Sequence, residues 1–563
     1  MGLFIGLNIK KLKETNKKKN INCINLDEKY FCLASNGKFY NDKFITRIDG
    51  TIILVDGVIL NKEKIINEYN KNDFKDCIIS EYNNGKLDEF INKLRGNFVI
   101  VLYDLKKDKL VAYTDHWSNI PLLYYKNNDV FLISTRLNEL VENLKLNNID
   151  YKLNMDGAYS LISYAYMLED NTLVEDVKRL EAGSRLVYSN NNNIEISSYH
   201  DWVFEEKKIN KDEAIKKLDY LFLNAVEMQV NKNEEYGYRN IVPLSAGLDC
   251  RIVAYSLRRL GVENVLTYTY SDSKSNDYKY CPKMASDLKY EWLYKNLDNG
   301  LDLFNLDSSI KIADGLIYYP WASQFNTFLN AINTSEIGII HTGVIGDVIP
   351  GSFNKSLDYK NKKYALGDGA YSTKLLNRIS FNIKDTSYEE GMFRNRAING
   401  ACLGYSTSIK EYGEGMSPFM DVDFAEFCFS LPFEFRFNHN IYYSWVISNF
   451  KDATKYPHNG VKISSMRGIK INGKEYKLDT IKGLLMNKMK SKYSKRNDMN
   501  PFDYWYDNNQ KLKRFMDDYF ESNKECLKNY EQLYKDINFL YNSGNTIEKT
   551  LVLSLIGSYK YLF

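Results

Sequence analysis

Up to about residue 201 the apolar positions of this chain fall in short runs broken by turn residues. Thr51 to Val55, Gly96 to Asp104, Leu110 to Tyr113 and Val130 to Ser134 are compact and rich in β-branched and aromatic side chains, which predicts strands. Between them, Asp88 to Leu94 and Arg136 to Leu144 space their apolar residues as helices do. This mixture predicts an α+β domain with antiparallel pairing. From about residue 210 the pattern changes. Long amphipathic helices alternate with apolar strands at Ile241 to Leu244, Val265 to Tyr270 and Ile337 to His341, which predicts a parallel sheet covered by helices. The last eighty or so residues are helical and rich in Lys and Tyr, with their charges on a solvated face. We expect two domains, 1–205 and 206–563, because 563 residues exceed one ordinary core.

Composition narrows the class. With 44% hydrophobic and 26% charged residues the chain reads as globular, and 75 basic against 72 acidic side chains leave no field that calls for nucleic acid. The eight cysteines (Cys23, Cys32, Cys77, Cys250, Cys281, Cys402, Cys428, Cys526) lie far apart without a CxxC pair, and several sit in apolar stretches. They are expected as reduced core thiols of a cytoplasmic protein. The short apolar start is followed by Lys10, Lys11 and Lys13, the reverse of a signal peptide's order, and no stretch approaches the roughly 18 apolar residues of a membrane span.

The most informative segment is 240–251, NIVPLSAGLDCR: a buried strand, a small-residue loop, then a helix opened by Asp249 and stopped at Gly261. Backbone N–H groups and the positive end of that helix would face an anion. The segment resembles the pyrophosphate loop, SGGxDS, of the asparagine synthetase family and other N-type ATP pyrophosphatases, with Ala246 in place of a glycine and Cys250 in place of a serine.

The N-terminal part resembles the glutaminase domain of the same synthetases. Residues 56–61 match NGEIYN, Leu94 to Phe98 match LxGxFA, and residues 115–124 match DRxGxxPLYY, in the family's order. The family's glutaminase uses an N-terminal cysteine exposed when the first methionine is removed, and an oxyanion-hole asparagine. Here these positions hold Gly2 and Asp56, so the resemblance implies a domain that does not hydrolyse glutamine and survives as a structural partner or docking surface.

A second loop, HTGVIGDVIPG over 341–351, resembles the family's SGEGxDE loop. The resemblance gives Thr342 and Gly343 the nucleotide-contacting positions and Asp347 that of the second magnesium carboxylate beside Asp249. The motif's proton-handling acid falls on Val344, its second glycine on Ile345 and its last carboxylate on Val348, and an aliphatic side chain accepts no proton. Val265 to Ser271 corresponds to the strand whose backbone reads adenine. The segments beginning at Asn276 and at Met284, through Trp292, resemble the helix that returns from it. Residues 416–427 match RxPFLDxxLVEF with Met416 at the arginine position, and Asp421 is read as an architectural hydrogen-bond acceptor. Lys462 is the first candidate for the lysine that neutralises charge during acyl-adenylate chemistry, with Lys470 behind it.

The resemblance thus implies an N-terminal Ntn-hydrolase-like sandwich and a C-terminal α/β parallel sheet of the adenine nucleotide α-hydrolase (PP-loop) type. It implies ATP and Mg²⁺ as cofactors. ATP would be held by Leu244, Ser245, Ala246, Gly247, Leu248, Asp249, Cys250, Tyr268, Thr342 and Gly343; Mg²⁺ by Asp249 and Asp347. Two hypotheses follow. The first is an ATP-dependent ligase that adenylates a small-molecule, peptide or sugar carboxylate, releases pyrophosphate and passes the acyl group to ammonia or another amine. β-Lactam synthetases, lasso-peptide cyclases and synthetase homologues of polysaccharide loci share this architecture. The second is an inactive homologue acting as a binding or scaffold protein, favoured by Ala246, Cys250, Val344 and Val348. Neither needs nucleic acid or membrane, and a homodimer stays open.

Overall fold

The computed structural model describes residues 2–12, 21–189, 193–458, 462–463, 468–471, 474–477 and 499–563. Two six-stranded sheets come first. In one, Val177–Arg179, Leu123–Lys126, Phe131–Ser134, Leu3–Leu7, Lys29–Ala34 and Ile21–Leu26 lie side by side; in the other, Asn193–Ser198, Ser184–Ser189, Lys109–Thr114, Gly96–Asp104, Thr51–Ile59 and Phe44–Ile48. Every pairing in both is antiparallel.

The sheets stack face to face. Leu3, Ile5, Phe31 and Leu33 from one meet Ile52, Leu54, Val99 and Val101 from the other. The alternate residues Ile53, Val55, Ile100 and Leu102 face outward onto the helices Lys62–Glu68, Phe74–Asn83 and Leu87–Lys93. Covered on both faces, Thr51–Ile59 is buried along its whole length, which is why its first half, Ile52 to Val55, is an unbroken apolar run rather than an alternating one.

A five-stranded parallel sheet follows, in the order Glu291–Asn296, Val265–Ser271, Arg239–Pro243, Ile337–His341, Glu414–Met416. The chain builds outward from Arg239–Pro243 in one direction, then returns to add Ile337–His341 on its other side. The point where strand order reverses lies between these two strands. Crevices for ligands form at such a point, beyond the carboxyl ends of the strands.

The halves share their largest apolar core. Leu161 and Ile162 of the helix Met155–Tyr164 pack in one cluster with Ile310, Tyr318, Leu551 and Leu555 from the second half, where the helix Thr546–Leu562 closes the chain. Ion pairs reinforce the contact. Asp42 is fully buried and accepts from Lys62 Nζ at 2.7 Å, Lys232 Nζ at 2.9 Å and the Tyr236 hydroxyl at 2.8 Å.

Two readings of the sequence are corrected. The helix expected to run through Trp292 ends at Leu288, capped by Lys289 in a left-handed conformation, and Glu291–Asn296 is an edge strand. The cysteines are not all reduced thiols: Cys23 and Cys32 lie opposite each other in the hairpin of Ile21–Leu26 and Lys29–Ala34, Cα atoms 4.2 Å apart, and form a disulfide. Strand register, which linear spacing does not reveal, sets that pairing. The six remaining cysteines are free. Gly460 and Val461, quoted around Lys462, lie outside the described residues. Among the described residues, no helix is long and apolar enough to cross a membrane.

Burial pushes the Asp42 carboxyl up, but Lys232 and Lys62 together hold it below the ordinary aspartate value of 3.8. A carboxyl depressed by folding stabilises the fold above its unfolded pKa, and that contribution is lost as pH falls through the lower folded value. Asp42→Ala leaves two buried ammonium groups without their partner, and a loss of about 3–5 kcal/mol is expected. Urea melts at pH 7 check this: an unchanged midpoint would show that the network does not hold the halves together.

Candidate functional site

The central strand Arg239–Pro243 is buried at Asn240, Ile241 and Val242, and its pairing continues one residue further as Leu244 N–H donates to the Tyr268 carbonyl at 2.7 Å. Ser245 to Leu248 then turn the chain into the helix Asp249–Arg259. The turn is pinned from both sides. Ala246 N–H donates to Asp277 Oδ1 at 2.8 Å, while its carbonyl accepts from the Arg251 guanidinium. Arg251 is wholly buried and donates further to the carbonyls of Ala453 (3.0 Å), Tyr456 (2.9 Å) and Pro457 (3.0 Å). One side chain thus ties the loop to the segment that leads to Lys462. A side chain at Gly247 would meet nothing closer than the Ser245 hydroxyl, at 3.1 Å, so the loop's mouth is open.

The loop after Ile337–His341 closes against that helix. A Cβ on Gly343 would lie 2.3 Å from Cys250 N, and one on Gly346 would lie 2.6 Å from Asp249 Cβ, so only glycine permits the approach. Thr342 N–H donates to the Met416 carbonyl at 2.9 Å, and the Thr342 hydroxyl accepts from Val344 N–H at 3.0 Å. Asp347 is thereby brought beside Asp249. Burial and the field of Asp347 raise the Asp249 carboxyl well above its usual range, although the Tyr442 hydroxyl donates to it at 2.7 Å. Asp347 is raised as well, chiefly by burial, against the opposing pull of Ser352 and Lys355.

Two buried acids, one raised by the field of the other, are a site short of positive charge. Carboxylate oxygens suit a hard cation such as Mg²⁺, which takes one or two protein carboxylates and completes its shell with phosphate and water. The donor set fits that ion. Among the described residues no group of three or more His, Cys, Asp or Glu gathers as a metal cage.

The other residues named from sequence fall as follows. Leu244 and Leu248 are buried in the apolar core beneath the loop, and Cys250 remains a neutral thiol, pushed up to about 12 by burial and by Asp249. The Tyr268 side chain is fully enclosed and stacks on Phe328 at 4.4 Å, so it can serve a nucleotide only through its backbone. Lys462 is exposed, and its neighbour Ile463 is anchored in the same core as Leu248 and Ile252. Lys470 belongs to the short strand Gly468–Ile471. Asp421 caps the helix Val422–Phe429 by accepting from Phe424 N–H at 3.0 Å. Sequence reading missed Arg251, Tyr442 and Lys355. Of these, only Arg251 carried a signal, a charge set directly against the apolar stretch Ile252 to Ala254.

The glutaminase-like position is filled from within. A Cβ on Gly2 would sit 2.1 Å from Thr135 Oγ1. Asp56 is buried and paired with Lys410 of the second half at 3.2 Å; burial raises its carboxyl, but Lys410 and Lys43 bring it below the ordinary value.

Ile345, where the resembling motif has glycine, sits at φ 56°. A β-branched residue is strained there. Because only glycine is at ease in this region, Ile345→Gly should be more stable than Ile345→Ala by about 1 kcal/mol. Melting both variants tests this, and the order usual elsewhere, Ala above Gly, would refute the strain.

Residues 34–200 match the model of a glutamine amidotransferase domain. Over 186 residues the chain is 22% identical to "Asparagine synthetase [glutamine-hydrolyzing] 1" of Bacillus subtilis (strain 168), a region covering 33% of this chain and 28% of that protein. The chain therefore matches little more than a quarter of the relative's length. Among solved structures, the glutamine PRPP amidotransferase of B. subtilis complexed with ADP and GMP aligns with a TM-score of 0.25 at 8% identity, covering 53% of this chain and 85% of that one. An allosteric regulatory enzyme of purine biosynthesis aligns with a TM-score of 0.24 at 9% identity, covering 52% and 74%. Scores this low carry no argument about either half. The domain match covers residues 34–200 and the similarity to asparagine synthetase covers a third of the chain, so together they show an amidotransferase-type domain over residues 34–200.

Proposed function

We propose that the chain is an ATP-dependent, amide-forming ligase that does not hydrolyse glutamine. In this reading a carboxylate is activated as an acyl-adenylate with release of pyrophosphate, and ammonia or another amine displaces AMP. One observation carries it: the loops bearing Asp249 and Asp347 close on each other at the strand-order reversal, at the amino end of one helix, near enough that Asp347 raises the Asp249 carboxyl. Asp249 and Asp347 would hold the magnesium ion, which when bound would neutralise phosphate charge and favour pyrophosphate as a leaving group. The partly exposed Ser245 and Gly247 would offer backbone N–H groups to the phosphates at the positive end of the helix. Lys355, whose charge is felt by Asp347, and Lys462, which follows in sequence the segment that Arg251 ties to the loop, would be the cations to offset developing charge.

Loss of glutamine hydrolysis follows from the chemistry of the other half. Gly2 offers no nucleophile, and Asp56 would oppose an oxyanion. The amine must then reach the proposed site as ammonia or as part of another substrate. Val344 and Val348 remove two acids from the second loop, so an amine acceptor must be deprotonated by bulk base or by its own substrate. A specific observation favours the second reading, a binding or scaffold protein: one N–H of the first loop, that of Ala246, is already donated to Asp277. The Asp249–Asp347 pair weighs against it, because a scaffold has no need of two mutually repelling carboxylates.

Calorimetry of ATP·Mg²⁺ binding decides between the two. Wild-type protein is expected to bind, and Asp249→Asn and Asp347→Asn to lose binding while keeping the fold by circular dichroism. No binding by the wild type would move the chain to the scaffold reading. The pair holds a cation only when deprotonated, so with both carboxyls raised, affinity should fall on acidification at a higher pH than ordinary carboxylates require. A pH-independent affinity would sink the assignment of the pair.

A further inference from the structure

We propose that the N-terminal half is a positioning element for the Thr342 to Asp347 loop, acting through the short strand Glu414–Met416. The inference rests on the proposed ligase reading only for what that loop would bind.

Glu414–Met416 is three residues long, has a glycine at its centre and pairs on one side only, with Ile337–His341. Such an edge strand has little to hold it in place by itself. Its other side is covered by side chains from the first half. Asn97 Nδ2 donates to the Gly415 carbonyl at 2.9 Å, and Asn97 is itself fixed by Asn119 Nδ2, which donates to Asn97 Oδ1 at 2.8 Å. Lys43 Nζ meets Glu414 Oε1 at 2.5 Å, with the two side chains only 4% and 5% exposed. Lys38 donates to the Tyr412 carbonyl and, at 2.6 Å, to that of Thr334, so it ties together the approaches to both strands. Phe39 and Val58 complete the contact by packing with Ile339 and Met416.

The far end of the strand touches the loop directly. Met416 C=O accepts from Thr342 N–H at 2.9 Å, and the Ser417 hydroxyl donates to the Val344 carbonyl at 2.9 Å. The loop then presses Gly346 against Asp249 and presents Asp347. From Asn97 to Asp347 every step is a hydrogen bond or a close packing contact, so a shift of the strand has no slack in which to be absorbed. Asn97, Lys43 and Lys38 are therefore positioning residues. The arrangement gives a reason for the first half to persist with Gly2 in place of a nucleophile.

Hydrogen–deuterium exchange on the full chain tests the relay. Asn97→Ala should speed amide exchange across residues 342–347 about fivefold, since a hydrogen bond contributes roughly 1 kcal/mol and local opening tracks such losses. ATP·Mg²⁺ affinity should fall with it. The paired substitution Lys43→Met with Glu414→Gln removes the ion pair without stranding a buried charge and should act in the same direction, whereas Lys43→Arg should restore wild-type exchange. Arg95→Ala is the control: Arg95 spans the same two halves to Asp423 at 2.9 Å, and its guanidinium otherwise bonds to the carbonyls of Asn92 and Leu94 rather than to strand or loop, so exchange at 342–347 should not change. Wild-type exchange at 342–347 in both Asn97→Ala and the paired variant overturns the proposal. So does acceleration spread evenly over the second half in all variants, Arg95→Ala included. If the wild type binds no ATP·Mg²⁺, the ligase reading falls, and the exchange pattern still decides the relay.

Discussion

Two carboxylates pressed together where solvent is scarce repel each other, and a fold tolerates that only when the surrounding structure leaves them nowhere else to go. Asp249 and Asp347 are in this position. The helix Asp249–Arg259 fixes one, the second loop fixes the other, and Gly343 and Gly346 remove the side chains that would otherwise hold the loops apart. Much of the second half can be read as support for this contact. Arg251 ties the Ala246 carbonyl of the first loop to those of Ala453, Tyr456 and Pro457, Tyr442 donates a hydrogen bond to Asp249, and the strand Glu414–Met416 carries the second loop. A cation that entered would relieve the repulsion already built in, which is the physical basis of the proposed magnesium site.

The two halves are not independent bodies joined by a linker. Their largest core contains residues of both, and buried ion pairs join them: Asp42, itself held by Lys62, with Lys232, and Lys43 with Glu414. Buried pairs of this kind add little net stability but strongly penalise any geometry that separates the partners. They act as specificity devices, fixing how the first half sits on the parallel sheet. That is the property a positioning element needs, and it does not depend on a working glutaminase site.

The departures from the resembling motifs have distinct physical consequences. Val344 and Val348 remove acids without disturbing the backbone. Ile345 keeps a left-handed conformation that glycine would adopt at no cost, and its side chain is rewarded by burial in the core with Leu248 and Phe419. Ala246 leaves the loop's shape intact because the backbone is pinned by Asp277 and Arg251 rather than by the absence of a side chain. These are the marks of a loop that keeps its form while its proton-handling groups are gone.

The sequence by itself determined the order of elements and the two loops. Apolar runs and their period depend on local burial, so Gly96–Asp104, Ile337–His341 and the helix opened by Asp249 were legible before any fold was known. Asp249 and Asp347 were legible too, because the loop signatures are contiguous. Tertiary structure alone decided the rest. Glu291–Asn296 became a strand because a parallel neighbour was available to pair with it, and Cys23 met Cys32 because of hairpin register. Arg251, Tyr442 and Lys355 joined the site, and Asn97 and Lys43 reached the strand behind it, across sequence separations that no local pattern encodes. Contacts between distant segments are set by the packing of whole layers, and a chain read residue by residue contains the layers' faces but not their mutual placement.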